Sequence, residues 1–384
     1  MTPSPIIRHP SSHVAVIGAG IVGAAIAHRL AEQGSAVLLL DRSDPESGSN
    51  ATAASFAAVT AREQTPRALF DLSRAAMEDY RRLAWKLAPA PWYHVEGSLA
   101  WFGDRAKAAA LHEQVQRLRD WGYAAEMLPA RAVLEDLEPG LTFPDPGTPV
   151  AWFPEEAWVD PRGLTQRLVE GVRNAGGRVL TGLEREVVAI AIEAGRVASL
   201  TLAGGQSISI AGVVNTAGVD AGHVAALVGR RLPVLAPRSL AVRVELPDGG
   251  DPLRRPLRTD SIAIRPDGPG RVLLVPHGEP GDRLPGPVPL DDPLVTETIA
   301  LAAAPVPALA AARPVEACVA AWPLMEDGAP SVGAVAGLPG YIEAVTDYGV
   351  TLAPLIARSL VDEMLGNPAN PLLEPFRPDR FSPA

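Results

Sequence analysis

The first eighty or so residues alternate between short apolar runs and a helical period. His13-Val14-Ala15-Val16-Ile17 is an apolar run that ends in glycine, AAIAHRLAEQG is alanine-rich with helical spacing and stops at Gly34, and Ala36-Val37-Leu38-Leu39-Leu40 ends at Asp41. This order predicts strand, glycine loop, helix, strand, acid. Residues 66–90 and 104–121 have the spacing of amphipathic helices. In EEAWVDPRGLTQRLVEGVRNAGGRVL, Asp160 is an N-cap, Pro161 takes the first helical position, and Gly176-Gly177 stops a helix that runs to Asn174. Capping accounts for Asp160 without a catalytic role. Strands follow at 187–192, 197–202 and 207–214.

From about residue 233 the pattern becomes short strands between Pro-Gly turns (LAVRVEL, SIAIRPDGPG, RVLLVPHG), which predicts an antiparallel sheet and a second domain. The Pro-rich segment 279–293 is expected to be a surface connection, and 294–312 a helix. Near the end, the run Tyr341–Val345 predicts a strand. It breaks at Asp347-Tyr348-Gly349 and leads into a helix with Leu352, Leu355, Ile356, Leu360 and Met364 on one face.

The glycine loop supplies the first chemistry. In Gly18-Ala19-Gly20-Ile21-Val22-Gly23, the first glycine suits a tight turn, the second allows backbone to approach a pyrophosphate, and the third allows close helix-to-strand packing. The following helix start offers unpaired N–H groups and a positive dipole end, and Asp41 stands at the separation expected of a ribose ligand. A lone GxGxxG is weak evidence; one set in strand, helix, strand and acid points to a dinucleotide.

Composition narrows the class. The 384 residues are 47% hydrophobic and 20% charged, as in globular proteins, and 384 residues suffice for two or three compact units. No apolar run approaches the length of a membrane span, and the expected location is the cytoplasm. A net charge of −10 without a basic cluster argues against nucleic acid as a partner. One cysteine, Cys318, and seven scattered histidines argue against disulfides and a metal site. Lys86 and Lys107 are the only lysines, which restricts amine chemistry.

Two features favour FAD over NAD. The Asp41-Arg42 pair precedes SDPESGSNATAASFAAV, a run of small residues rich in N–H and hydroxyl donors, and a strand-to-helix unit recurs at the C-terminus, as when a chain leaves and re-enters a nucleotide domain. HVAVIGAGIVGAAIAHRLAEQGSAVLLLDR, VVNTAG at 213–218, and PLMEDGAPSVG followed by GLPGYIEAVTDYGVTLAP resemble the D-amino-acid oxidase superfamily, especially its glycine oxidase and monomeric sarcosine oxidase type, over nearly the whole chain.

The resemblance implies an α/β fold: a Rossmann-like FAD-binding domain (1–90, 150–230 and 325–384) with an inserted α+β substrate domain on an antiparallel sheet (91–149 and 231–324). It implies that Gly18, Gly20, Asp41 and Arg42 hold the ADP half, with Ile21, Val22 and Gly23 at the same helix start. Ser49, Asn50, Ala54, Ser55 and Phe56 line the section from pyrophosphate to flavin, Val187 meets adenine with Ala217 and Gly218 alongside, and Gly349, Val350 and Thr351 meet the pyrimidine edge of the flavin.

The family pattern also fails in places. Two arginines that clamp a substrate carboxylate in glycine oxidase are here Trp322 and Asp347, and neither fork survives. An aromatic residue and an acid suggest a pocket for a cation or an apolar group, with Asp347 orienting or deprotonating a substrate ammonium and Tyr348 and Trp322 as walls. The alternative is that Asp347 shapes a turn and both aromatics are core. The lysine used near flavin by sarcosine oxidase-like enzymes has no counterpart, unless an arginine such as Arg265 substitutes, which leaves oxygen or another acceptor open. Cys318 lies two residues from the position of covalent flavin attachment, so non-covalent FAD is expected. Arg265 and His277 sit at or beside strand ends, within reach of a substrate, but a solvated arginine and a surface histidine are the ordinary expectation.

The expected reaction is oxidation of a C–N bond in a small amine or amino-acid-like substrate, by hydride transfer to flavin N5 and hydrolysis of the imine. A non-catalytic or accessory flavin-binding subunit, a flavin dehydrogenase that does not use oxygen, and an NAD-dependent dehydrogenase are the alternatives. Oligomeric state is not legible.

Overall fold

The computed structural model of the protein describes residues 13–44, 50–247, 249–278, 280–281 and 283–381. The strands His13–Ile17 and Val37–Asp41 lie parallel, joined by the helix Ile21–Glu32. Strand Ser207–Asn215 pairs parallel with the other side of His13–Ile17, Tyr341–Val345 lies parallel beyond it, and Arg178–Thr181 extends the opposite side. Chain connections thus diverge on either side of the first strand, which opens a crevice at the carboxyl ends of the strands.

These runs read as uniformly apolar because both faces of the sheet are covered. Val14, Val16 and Leu39 pack with the helices Ile21–Glu32, Pro161–Asn174 and Gly349–Met364. Ala15, Ile17, Leu38 and Leu40 pack with Val187, Ile190, Val197 and Leu200 of an antiparallel pair, Val187–Glu193 with Arg196–Leu202. Leu352, Leu355, Ile356, Leu360 and Met364 of the closing helix are all at most 1% exposed. Each such burial contributes about 1.5–3 kcal/mol, so this helix is held by its apolar face.

The second sheet has nine strands among the described residues, in the order Gly286–Pro287, Arg313–Ala321, Arg238–Glu245, Arg271–Pro276, Ile262–Pro266, Leu257–Arg258, Ser98–Ala100, Pro149–Phe153, Glu126–Pro129. All neighbours are antiparallel except Leu257–Arg258 with Ser98–Ala100. One face packs against the helix Pro293–Ala303 through Leu240, Val242, Ile264, Leu274 and Val295. The other face turns Ala241, Leu273, Cys318 and Ala320 toward Ala54 of the first domain.

Three sequence expectations need correction. The boundary expected at 150 falls inside the strand Pro149–Phe153, whose pairing puts it in the second sheet. The connection 279–293 contains a short strand, Gly286–Pro287, that pairs with Val319 and Cys318. The helix expected over 294–312 ends at Ala303 and is followed by a 3-10 turn, Pro307–Ala311.

A buried ion pair ties the C-terminal tail to the first sheet. The fully buried Glu343 accepts from Arg230 Nε at 2.5 Å and from Ser331 Oγ at 2.9 Å, while Arg230 Nη2 donates to the Pro378 carbonyl at 2.7 Å. Arg230→Met leaves that carboxylate buried and unpaired, so urea denaturation is expected to give a loss of about 3–5 kcal/mol, partly recovered in Arg230→Met/Glu343→Leu.

Candidate functional site

A cavity of about 900 Å³ runs from the carboxyl ends of the parallel strands to the exposed rim of the second sheet. At its inner end the glycine loop is packed to the limit. Gly18 has φ +105°, and a Cβ there would lie 2.4 Å from the Thr216 carbonyl oxygen; one on Gly23 would lie 1.9 Å from the Gly18 oxygen. Thr216 Oγ1 donates to the Ile17 carbonyl at 2.8 Å, which fixes the loop against the neighbouring strand. The helix starting at Ile21 has no side-chain cap on its N-cap residue Gly20, and the Ile21 amide donates to Thr52 Oγ1 at 3.1 Å. The Val22 and Gly23 amides have no acceptor within the helix, so the first turn presents donors and partial positive charge to the cavity.

Asp41 ends the second strand at the cavity wall. Its carboxylate accepts from the Ala19 amide at 2.7 Å and from the Ser43 amide and hydroxyl at 2.8 and 2.9 Å. Arg42 is held by Asp220 at 2.7 Å. Opposite them, Asn50 caps the helix Ala51–Ala54 by accepting from the Ala53 amide.

That short helix is also gripped from the second sheet. Arg243 Nη2 donates to the Ala53 carbonyl at 2.5 Å, and Arg243 pairs with Asp267 at 2.8 Å and Glu316 at 3.2 Å.

Of the site residues read from the sequence, Gly18, Gly20, Ile21, Val22, Asp41, Arg42, Asn50, Ala54, Ser55, Phe56, Val187, Ala217, Gly218, Trp322, Asp347, Gly349 and Val350 line this one cavity. Ser49 lies outside the described residues. Gly23 stands behind the loop, as its packing role requires.

Two expected contacts differ. Thr351 is turned away, its hydroxyl donating to the Ala58 carbonyl at 3.0 Å. Tyr348 is no cavity wall; it packs against the core of the first domain, and its amide donates to Thr346 Oγ1 at 3.0 Å. Arg265, expected to be solvated or to stand in for a lysine, is fully buried, paired with Asp267 at 2.8 Å and lying over the Trp158 ring.

Sequence reasoning missed Thr52, Thr216, Ser239 and Arg258, all of which line the cavity. Thr52 lay within the donor-rich run, whereas a two-residue strand, Leu257–Arg258, carries no pattern to mark its arginine. His277 also lines the cavity, its Nδ1 3.1 Å from the Asp260 carbonyl. Lys107 reaches that same carbonyl at 3.4 Å. No lysine lines the cavity among the described residues.

Burial, with only Tyr348, Thr346 and backbone groups to offset it, pushes the Asp347 carboxyl up to about 6. Among the described residues no Lys, Arg or His lies within ion-pair distance of it. Burial also raises the Tyr348 phenol, with the neighbouring Asp347 adding to the effect. Burial pushes His277 down, and the Arg258 guanidinium adds to this.

A family model described as "FAD dependent oxidoreductase" matches residues 13–363, and the chain belongs to this family. Among curated proteins it is 25% identical over 377 residues to a glycine oxidase of Bacillus licheniformis, covering 95% of this chain and 96% of that one. It is equally 25% identical to the uncharacterized oxidoreductase YurR of Bacillus subtilis, over 94% and 97% of the two chains. In fold it resembles glycine oxidase from Geobacillus kaustophilus (TM-score 0.84, 23% identity, 96% and 98% covered). It also resembles iminodiacetate oxidase from Chelativorans sp. BNC1 (TM-score 0.82, 24% identity, 95% and 98% covered).

The protein is therefore an FAD-dependent oxidoreductase, and its residues fit that cofactor. The glycine loop leaves no room for side chains, the helix start offers unpaired donors where a pyrophosphate needs them, and Asp41 offers a carboxylate for a ribose. No described helix is long and apolar enough to cross a membrane.

Gly18→Ala is expected to weaken FAD retention by about 10- to 100-fold, since the added methyl must move the Thr216 carbonyl out of a strained turn. The ratio of visible flavin to protein absorbance after dialysis checks this.

Proposed function

We propose that the protein oxidises the C–N bond of a small amine or amino-acid-like substrate, with Asp347 receiving the substrate ammonium and its proton. The observation that carries this reading is a cavity-lining carboxylate with no cationic partner among the described residues. A site arranged this way attracts a positive charge and has a base ready for it.

Bound FAD supplies a two-electron acceptor for the hydride on the carbon next to nitrogen. The chain supplies the rest. Asp347 takes the ammonium proton, so that the nitrogen lone pair is available as the hydride leaves and the C=N bond forms, and water then hydrolyses the imine. Tyr348, packed on the core beside it, steadies the turn that carries Asp347. Trp322 and Pro323 give an apolar wall that excludes water from the reacting carbon. Gly349 and Val350 bring a helix N-terminus to the same cavity, where negative charge on a reduced cofactor is stabilised. Cys318 is buried against Ala54 and Ala320 and does not line the cavity, which supports FAD held without a covalent bond.

Because Asp347 must be ionised to accept a proton, anaerobic flavin reduction in the parent is expected to rise with pH up to about 6 and then level. Asp347→Asn should lose that limb and react about 100-fold slower or worse at pH 8. Stability runs the other way. The folded pKa exceeds the unfolded one, so the ionised carboxylate destabilises the fold above about pH 6 and the penalty fades as pH falls toward 4. Asp347→Asn should thus be more stable at pH 8, by at most about 3 kcal/mol, with the advantage gone near pH 4. Stopped-flow and thermal melts across pH check both, and a parent profile flat between pH 5 and pH 8 would falsify the assigned role.

A further inference from the structure

The substrate-domain end of the cavity holds one permanent cation among the described lining residues. Arg42 and Arg185 line the cavity beside Asp220, Glu186 and Val187, at the end assigned to the adenosine half, whereas Arg258 lies with Ser239, Pro276 and His277. Strand pairing puts Arg258 in a row with Ala263, Val275, Ala241 and Cys318 across the sheet, on the face that looks toward the first domain.

The guanidinium is held in place without being saturated. Arg258 Nη1 donates to Glu63, Nε lies 3.5 Å from His277 Nε2, and Nη2 has no hydrogen-bond partner among the described residues. Glu63 is itself anchored. It pairs with Arg62 at 3.6 Å, and the buried Arg62 is fixed by Ser98 Oγ at 2.7 Å and by the buried Glu156 at 3.2 Å. Burial alone would raise Glu63, but the Arg62 and Arg258 guanidiniums outweigh it and hold the carboxyl below its usual range. Glu63 therefore stays an anion and keeps Arg258 aimed, while the Nη2 edge remains open to a ligand.

The cavity then has two complementary charges on different walls, an anchored guanidinium on the sheet and an unpaired acid before the closing helix. We propose that Arg258 is the anion-binding residue of this site, holding a substrate carboxylate in place of the two family positions that are Trp322 and Asp347 here, with the substrate amine toward Asp347. The inference rests on the reading of Asp347 above and goes beyond it in assigning the residue that discriminates carboxylate-bearing substrates from simple amines. It also places the carboxylate contact on a strand of the second sheet, not at Trp322 or Asp347. An open guanidinium edge can take a carboxylate by charge-assisted hydrogen bonds even while Nη1 keeps Glu63.

Purified holoenzyme titrated with acetate and with benzoate, followed by the visible flavin spectrum and by calorimetry, tests the anion site without requiring turnover. Saturable binding is expected in the parent, weaker by about 10- to 100-fold in Arg258→Met and partly restored in Arg258→Lys. In Glu63→Gln it should be several-fold tighter, because the competing anion is gone. Each variant must keep its flavin absorbance to count as folded.

No binding in the parent, or equal binding in Arg258→Met, overturns the proposal. Anaerobic mixing with matched pairs, N-methylglycine against dimethylamine and alanine against ethylamine, separates the two readings. Bleaching by the carboxylate-bearing members alone supports both, and equal bleaching by simple amines overturns this one and leaves C–N oxidation standing. Bleaching by neither member of any pair removes the amine-oxidation reading, while the carboxylate titration still decides Arg258.

Discussion

The close approach of Gly18 to the Thr216 carbonyl is the contact on which the cofactor site depends. It joins residues 198 positions apart in the chain, and it exists only because the first strand lies between Val37–Asp41 and Ser207–Asn215. Once that three-strand arrangement forms, the glycine loop, Asp41 and the Ala217-Gly218 turn come to one edge by geometry alone. The fourth parallel strand, Tyr341–Val345, adds Thr346, Asp347 and Gly349 to the same edge. A single topological feature, the divergence of connections about the first strand, therefore gathers three distant segments around one cavity.

The face of the second sheet that looks toward this cavity changes character along its strands. Ser239 and Ala320 lie toward one end and, with His277 and with Arg258 and Val275 of the next row, form a cavity wall. In the middle Ala241 and Cys318 are apolar and pack, with Leu273 of the next row, against Ala54. At the far end Arg243, Arg265, Asp267 and Glu316 form an ion cluster that Arg162 joins from the first domain, with Arg162 Nη1 2.9 Å from Glu316. Such a cluster adds little net stability, because desolvating the charges costs about as much as pairing them returns. Its effect is positional: Arg243 grips the carbonyl of Ala53 and so sets the short helix that carries Asn50 and Thr52. The second sheet thus helps to shape the nucleotide end as well as the substrate end.

Most of the cavity lining at the glycine-loop end was legible because its requirements are local. A helix start preceded by glycines, a strand ending in an acid, and a second helix start entered through Gly349 each leave a short pattern, since each is built from consecutive residues. The substrate end was only half legible. Asp347 and Trp322 could be singled out because they sit in a recognisable segment. Arg258 could not, because a two-residue strand has no periodicity and its partners are 195 and 19 positions away. Arg265 was misjudged for a related reason: its alternating strand predicts a side, and only the packing of the first domain onto that side decides that the side is buried rather than wet. Thr351 was assigned to the cavity by resemblance and Tyr348 as a wall beside Asp347, and the turn into the closing helix rotates both away from it.

The amino-acid sequence by itself determined the mononucleotide-binding unit, the class of cofactor, the order of the elements and the apolar face of the closing helix, because these follow from spacing, backbone sterics and local capping. The tertiary structure alone decided which charges face one another: that Asp347 has no cation beside it among the described residues, that Glu63 aims Arg258, and that Arg265 is sealed in an ion cluster. Those outcomes depend on distances between residues far apart in the chain and on which side chains lose water, and neither quantity is encoded in any short stretch of sequence.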